Sequence, residues 1–282
     1  MTRGLVPVSV VILTFNEARN LPACLQSVVA WAADIVVVDS GSTDETLAIA
    51  AAHGARVVTH AFDTHARQWA WALAEVPLAT EWVLALDADH AVTPELQQAI
   101  IRAVGGGDST IAGYFLNRRQ VFRGRWIRHG GYYPKYLLKL FRRGAVSLDA
   151  ADLVDHHFRV AGLTARLAGD LIEDNRNEAA IFDWIAKHNR YARLQAREEL
   201  ARLAGTQPTG DWRGNPDERT QRQKALWARM PGYVRPLGYF LYRYVLRFGF
   251  LDGKQGFVFH FLQAWWYRLL VDINLDELRK AR

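Results

Sequence analysis

Only one cysteine, Cys24, stands among the 282 residues, so no disulfide can form within the chain. That usage fits a reducing compartment and excludes a small disulfide-stapled scaffold. No charge-free apolar run reaches about 18 residues, so no membrane-spanning helix is expected. The stretch "MTRGLVPVSVVILTFNE" lacks the features of a signal peptide. Its apolar run is short and β-branched, and it ends in Asn16-Glu17 with no small-residue cleavage site. There is no internal repeat and no low-complexity tract. The first apolar run leads into "TFNEARN", without G-x-G-x-x-G, which argues against a dinucleotide-binding dehydrogenase.

Half of the residues are hydrophobic and 23% are charged, which describes a globular chain with room for one large domain and an appendage. The net charge of +6 favours anionic partners such as nucleotides, phospholipid head groups or nucleic acid, without choosing among them.

The first hundred residues alternate two patterns. "VSVVILT" (8–14), "DIVVVDS" (34–40), "ARVVTHAF" (55–62) and "EWVLALDAD" (81–89) read as strands, the first two buried on both faces. "ARNLPACLQSVVAW", "DETLAIAAAHG", "ARQWAWALAE" and "TPELQQAIIRAVGGG" read as helices, the last with Thr93 as N-cap and Pro94 at its first position. Such alternation predicts an α/β fold built on a parallel sheet with right-handed crossovers. From 111 to 173 short strands follow, and residues 178 to 203 read as a long helix with Ile181, Trp184, Ile185, His188, Tyr191 and Ala192 on one face. The polar stretch 204–223 reads as a surface loop or linker.

In open α/β sheets, ligands bind beyond the carboxyl ends of the strands. Three such ends carry polar residues here: Thr14-Phe15-Asn16-Glu17, Asp39-Ser40-Gly41-Ser42-Thr43-Asp44, and Asp87-Ala88-Asp89. Each has an ordinary reading. Asp-x-Asp is common, Ser42 or Thr43 can cap the next helix, and Gly41 can relieve a tight turn. Together, carboxylates on neighbouring strand ends repel unless a cation or a hydrogen-bonding ligand compensates. A nucleoside diphosphate with Mg²⁺ or Mn²⁺ supplies both.

These motifs, with "VSVVILTFNEARNLPACLQSV", "IVVVDSGSTDET", "EWVLALDADH", "HGGYYPKYLLKLFRRG" and "KHNRYARLQA", resemble the family 2 glycosyltransferases of the GT-A fold. The likeness is greatest to the branch that includes the lipopolysaccharide-core β-glucosyltransferases, and it covers roughly residues 8 to 200. It implies a Rossmann-like, mostly parallel sheet flanked by helices. Thr14, Asn16 and Glu17 would line the nucleoside pocket and Asp39 would contact the uracil edge, with Ser40, Gly41 and Ser42 in the same loop. Arg67 and Gln68 would face the diphosphate and sugar, although Trp69 stands where an Asn is common. Asp87 would face the ribose or sugar, with Ala88 in the same nucleotide-sugar site, and Asp89, with Asp87 beside it, would hold the metal. The family inverts, so a single base is expected, without a covalent intermediate. Asp155 is favoured for it by its place after the "KLFRRG" strand, with Glu173 and Asp174 as alternatives that also suit a helix N-terminus. His156 and His157, neighbours on a strand, point to opposite faces and do not suggest a metal site.

Nine Lys or Arg and no Asp or Glu lie between Arg118 and Arg143, a solvated face or a surface for a phosphorylated or lipid-linked acceptor. Between Trp227 and Tyr267 lie 14 of the 33 aromatic residues. Leu237, Phe240, Leu241, Tyr244, Val245 and Phe248 mark one helical face, with Arg235, Arg243 and Arg247 near. Trp and Tyr beside Arg suit a membrane interface, and equally an extra helical layer or a homo-oligomer contact. The aromatics sit in apolar helical patterns, which does not suit nucleic acid.

The expected organisation is a GT-A domain over 1–203, a linker over 204–223 and an aromatic helical extension over 224–282. The expected activity is inverting, metal-dependent transfer from a UDP-sugar to a bacterial surface glycan, such as lipopolysaccharide core or a lipid-linked oligosaccharide. It would take place in the cytoplasm, peripherally on the inner membrane. The alternatives are a polyprenyl-phosphate glycosyltransferase and a non-catalytic nucleotide- or membrane-binding protein.

Overall fold

The computed structural model describes residues 5–106, 108–148, 157–178, 180–204, 222 and 230–281. Strands β1 (Val6–Thr14), β2 (Ala32–Asp39), β3 (Arg56–Thr59) and β4 (Trp82–Asp87) alternate with helices α1 (Leu21–Gln26), α2 (Thr46–Ala52) and α3 (His65–Glu75). After β5 (His90–Val92) and α4 (Pro94–Gly106) come β6 (Ile111–Phe122), β7 (Arg125–Trp126), β8 (Tyr136–Arg142), β9 (Val146–Leu148), β10 (Phe158–Val160) and β11 (Leu163–Glu173).

The main sheet runs β3-β2-β1-β4-β8-β6-β11-β5. Its first four strands are parallel, β8 is antiparallel to β4, and β5 is antiparallel to β11. β9 and β10 form a separate antiparallel pair. This is the α/β, mostly parallel sheet with flanking helices that the strand–helix alternation predicts. β1 lies between β2 and β4 under helices, and only Pro7 among its nine residues is exposed. That double burial explains the unbroken "VSVVILT", whose Val8, Val10 and Ile12 share the core with Leu21, Leu84 and Leu116.

Register sets up the chemistry. Thr14 pairs with Asp39 and Leu13 with Asp87, so β1, β2 and β4 end side by side. The three polar strand ends therefore open along one rim.

Some boundaries differ from those expected. α1 stops at Gln26 instead of running to Trp31. Ser27 Oγ donates to the Cys24 carbonyl at 2.7 Å and Trp31 Nε1 to the Ser27 carbonyl at 2.8 Å, which closes the helix in a turn. Neither Ser42 nor Thr43 caps α2, because both belong to the loop network described below.

The chain forms two compact units. One comprises residues up to Val121 and Leu138–Asn177, and the other Phe122–Leu137 and everything from Glu178. The first contains β1 to β5, nearly all of β6, and β8 to β11. The second contains β7, α5 (Ile181–Ala204), α6 (Val234–Leu241), α7 (Gly253–His260) and α8 (Tyr267–Lys280). This division differs from the expected boundaries at 203 and 223. The long helix α5 packs with the C-terminal helices because Ala192 and Ala196 on its face admit Tyr267, Val271 and Leu275 of α8. Of the expected linker, only Ala204 and Arg222 lie within the described residues.

The expected face of α5 is present. Trp184 is buried and His188 stacks on it with ring centroids 3.5 Å apart. Arg235 is interior instead of lying along the amphipathic face. It donates Nε to Asp272 at 2.8 Å and lies 3.3 Å from Glu199. Among the described residues, no helix is long and apolar enough to cross a membrane.

Candidate functional site

The loop after β2 is built round Asp39, which is fully buried. Oδ1 accepts from Thr14 Oγ1 at 2.9 Å and from Ser42 Oγ at 2.5 Å, and Oδ2 accepts from the N–H groups of Gly41 and Ser42, both at 2.8 Å. A carboxylate has about four lone-pair sites, and this chain fills them all. Asp39 thus holds the loop in which Ser40, Gly41 and Ser42 lie. Gly41 sits at φ +92°, a conformation other residues rarely adopt, with open space where a side chain would point.

The loop after β1 is laced to the same structure. Asn16 N donates to Ser42 Oγ and Thr43 N to Asn16 Oδ1, both at 2.8 Å. Glu17 N donates to Thr46 Oγ1 at 2.8 Å. Glu17 Oε2 accepts from Asn20 Nδ2 at 2.6 Å and from Asn177 Nδ2 at 3.0 Å, which ties in the segment after β11. Gln68, nearly fully buried, bonds His60 Nδ1 through Oε1 at 2.7 Å and donates Nε2 to Ser40 Oγ at 3.3 Å. Thr14, Asn16, Glu17, Asp39, Ser40, Gly41, Ser42 and Gln68 are therefore one connected network. Arg67 is outside it, exposed and paired with Asp63. Trp69 packs in the interior edge-on to Phe158, with centroids 5.3 Å apart.

A second constellation lies at the end of β4. The Asp87 N–H donates to His90 Nδ1 at 3.1 Å, which puts the proton of the neutral ring on Nε2. That nitrogen is 3.6 Å from Asp87 Oδ2, 4.0 Å from Asp89 Oδ1 and 3.5 Å from Glu173 Oε2. His90 is buried, and three carboxylates gather on one edge of its ring. Buried Lys139 brings Nζ within 3.0 Å of Asp87 Oδ2, and Arg118 Nη1 lies 3.0 Å from Glu173 Oε2. Burial pushes the Glu173 carboxyl up, but Arg118 and the His90 hydrogen bond outweigh that and hold it down at about 2. Beneath the cluster, burial and then the charges of Asp89 and Asp87 raise the Cys24 thiol well above its ordinary value.

The other expected site residues fall differently. Asp174 is part-exposed, with its N–H bonded to the Asp89 carbonyl at 3.0 Å and Oδ2 at 3.5 Å from Arg176. Ala88 is buried with its methyl in the core. Asp155 and His156 lie outside the described residues. His90, Lys139, Arg118, Asn20 and Asn177 were not among the expected site residues; Lys139, Arg118 and Asn177 reach the site only through contacts distant in sequence, whereas His90 and Asn20 lie three residues from Asp87 and Glu17.

Oxygen-rich groups of this kind suit a hard divalent cation. Among the described residues, no three His, Cys, Asp or Glu side chains form a ready-made metal cage. Asp87 and Asp89 fit such an ion as two hard donors one residue apart at a strand end.

Residues 9–166 match the profile of the family described as glycosyl transferase family 2. An uncharacterized glycosyltransferase of Rickettsia bellii is 38% identical over 93 residues, which are 33% of this chain and 31% of that protein. The chain thus matches about a third of the length of that curated relative. The lipopolysaccharide core biosynthesis glycosyltransferase LpsC of Rhizobium meliloti is 27% identical over 206 residues, 69% of this chain and 72% of that protein. Among solved structures, glucosyl-3-phosphoglycerate synthase of Mycobacterium tuberculosis in complex with Mn²⁺, UDP and glucosyl-3-phosphoglycerate is similar, with a TM-score of 0.46 at 18% identity. That likeness covers 73% of this chain and 82% of the other.

Proposed function

Because the chain belongs to glycosyl transferase family 2, we propose that it transfers a sugar from a UDP-sugar, with inversion and with a divalent metal, to a hydroxyl of a lipopolysaccharide-core or lipid-linked glycan. The observation that carries this reading is the side-by-side ending of β1, β2 and β4, with Asp87 and Asp39 on the two strands that flank the end of β1. LpsC acts in lipopolysaccharide core biosynthesis by its name, which supports the acceptor class.

In this reading the nucleoside lies on the Thr14–Glu17 and Ser40–Ser42 loops. Their backbone is held rigid by Asp39, which acts as a positioning residue. Asp89 and Asp87 hold the metal, which when bound offsets the charge developing on the departing diphosphate. Lys139 fixes Asp87 in place through its ion pair, and His90 sets its Nε2 edge toward Asp87, Asp89 and Glu173.

The base must take a proton from the acceptor hydroxyl. Glu173, held down at about 2 beside Arg118, is a poor acceptor of that proton. Asp174, part-exposed and bonded through its backbone to Asp89, is the better placed of the two described candidates. Comparing Asp174→Asn with Asp155→Asn assigns the role, since only the base variant should lose transfer while still binding donor.

The acceptor side is peripheral to the membrane. Val234, Leu237, Leu241, Val245, Leu246 and Phe248 are all more than 40% exposed in the helical unit. The test of the activity is UDP release from a panel of UDP-hexoses with deacylated core oligosaccharide, with Mn²⁺ or with chelator. Metal-dependent release that needs the acceptor supports the reading. Inert donors across the panel, with the protein folded, would overturn it.

A further inference from the structure

The helical unit holds a pocket of about 410 Å³ that the donor chemistry does not use. Arg128, His129, Gly131, Leu246, Arg247 and Phe248 line it. Its floor is built with care. Asp252, buried, accepts from the His129 N–H at 2.8 Å and bonds its Nδ1 at 2.7 Å. That leaves the other edge of a part-exposed imidazole for the pocket.

Gly130 and Gly131 run at φ +70° and +75°. The Gly130 N–H donates to the Arg247 carbonyl at 2.9 Å, and a side chain at Gly131 would meet the Arg247 guanidinium at 3.6 Å. Arg247 thus lies along bare glycine backbone. Behind it, the Arg243 guanidinium is sandwiched between Tyr132 (4.2 Å) and Tyr239 (4.6 Å) and donates to the Gly130 carbonyl at 2.8 Å.

The rim differs in kind from the floor. Leu246 is 68% and Phe248 57% exposed, and Leu241, Val245, Phe250 and Leu251 beside them are exposed as well. Arg128 and Arg247 supply the positive charge at the pocket, and the Asp252 carboxylate beneath it is taken up by His129. A cationic pocket ringed by exposed apolar side chains matches a surface that is itself anionic above and apolar below. Pairing with a second copy would set arginine against arginine, since a two-fold contact uses the same patch on both sides.

We propose that this pocket binds the headgroup phosphate of an anionic phospholipid, with Arg128, His129 and Arg247 on the phosphate and Leu246 and Phe248 in the bilayer interface. Guanidinium groups pair with phosphate oxygens two at a time, and apolar rim residues at headgroup depth add partitioning. The proposal deepens the reading of a membrane-borne acceptor and rests on it. Sugar donors and the strand-end carboxylates play no part in it.

The test is co-sedimentation of the full chain with phosphatidylcholine vesicles containing or lacking phosphatidylglycerol, at low and high salt. Donor binding is followed in parallel by UDP calorimetry, so that failure here is distinguishable from failure of the transferase reading. The expected result is binding only to phosphatidylglycerol vesicles, weakened by salt. Arg128→Gln/Arg247→Gln should weaken it by roughly twentyfold or more, at about fivefold per arginine. Leu246→Ser/Phe248→Ser, which leaves the charges intact, should weaken it too, while both variants keep wild-type UDP binding. Equal binding to both vesicle types, no vesicle binding, or unaltered binding by the double arginine variant would overturn the proposal. So would binding of inorganic phosphate in the pocket without any binding to vesicles.

Discussion

His90 pairs with Glu173 across β5 and β11, and this register brings its Nε2 to 3.5 Å from Glu173 Oε2 while its other nitrogen caps the Asp87 amide. A single imidazole thereby links the strand end that carries Asp-x-Asp to the strand end that carries the Glu-Asp pair.

The first prediction follows from Glu173. Its carboxyl is held at about 2 in the fold against an ordinary 4.5, so it is a depressed acid. Such a group stabilises above its unfolded value, and that contribution is lost as pH falls through the folded one. Wild type should exceed Glu173→Gln by about 2 kcal/mol above pH ~5, and the gap should close between pH ~4.5 and ~2. Urea unfolding across that range checks it. A gap that does not change with pH would contradict the ion pair with Arg118.

Lys139 is buried and Asp87 is one-third exposed, so their 3.0 Å pair is only partly screened. Lys139→Met keeps the volume and leaves Asp87 without its cation. Removing one member of a buried pair is costly, and here the exposed partner moderates the loss to about 1–3 kcal/mol. Turnover should fall by at least tenfold through loss of the Asp87 geometry. Chemical denaturation and steady-state transfer, measured side by side, separate the two effects.

Asp39→Asn changes one atom in a buried loop. The amide has one acceptor oxygen instead of two, so it can serve the Gly41 and Ser42 N–H groups or the Thr14 and Ser42 hydroxyls, but not both pairs as the carboxylate does. The expected loss is about 2–3 kcal/mol of stability, with a rise in donor KM larger than any fall in kcat. A variant with normal stability and normal KM would mean that the loop does not depend on this carboxylate.

The strands were legible because burial on both faces demands continuous β-branched runs, and β1 meets that demand from Val8 to Thr14. The rim was legible because strand ends in a parallel sheet collect ligand chemistry. Lys139, Arg118 and the His90–Glu173 contact were not, since each depends on a pairing no local pattern encodes. Lys139 reaches Asp87 only because β8 runs antiparallel beside β4, and Arg118 reaches Glu173 only because β6 pairs with β11. The inward turn of Arg235 and Arg243 has the same origin. Helical spacing places them on a face but does not reveal that Asp272 or the Tyr132 ring lies across from it.

Gly130 gives a prediction for the helical unit. An added Cβ would lie 2.0 Å from His260 Cε1, and the residue sits at φ +70°. Gly124, at φ +74°, has open space instead. Gly124→Ala should cost about 1 kcal/mol from backbone conformation alone. Gly130→Ala should cost about 3 kcal/mol or more, because the buried imidazole must move as well. Thermal unfolding of the two variants compares them directly, and equal losses would show that His260 is not packed against this glycine.

The central claim is that the β4 end is a metal-linked nucleotide site. Calorimetric titration of UDP with and without Mn²⁺, into wild type and Asp89→Asn, tests it most directly. The account predicts UDP binding that strengthens at least tenfold with Mn²⁺ in the wild type and no longer responds to the metal in the folded variant. UDP binding of equal strength with and without Mn²⁺, or a metal response that survives in Asp89→Asn, would contradict it.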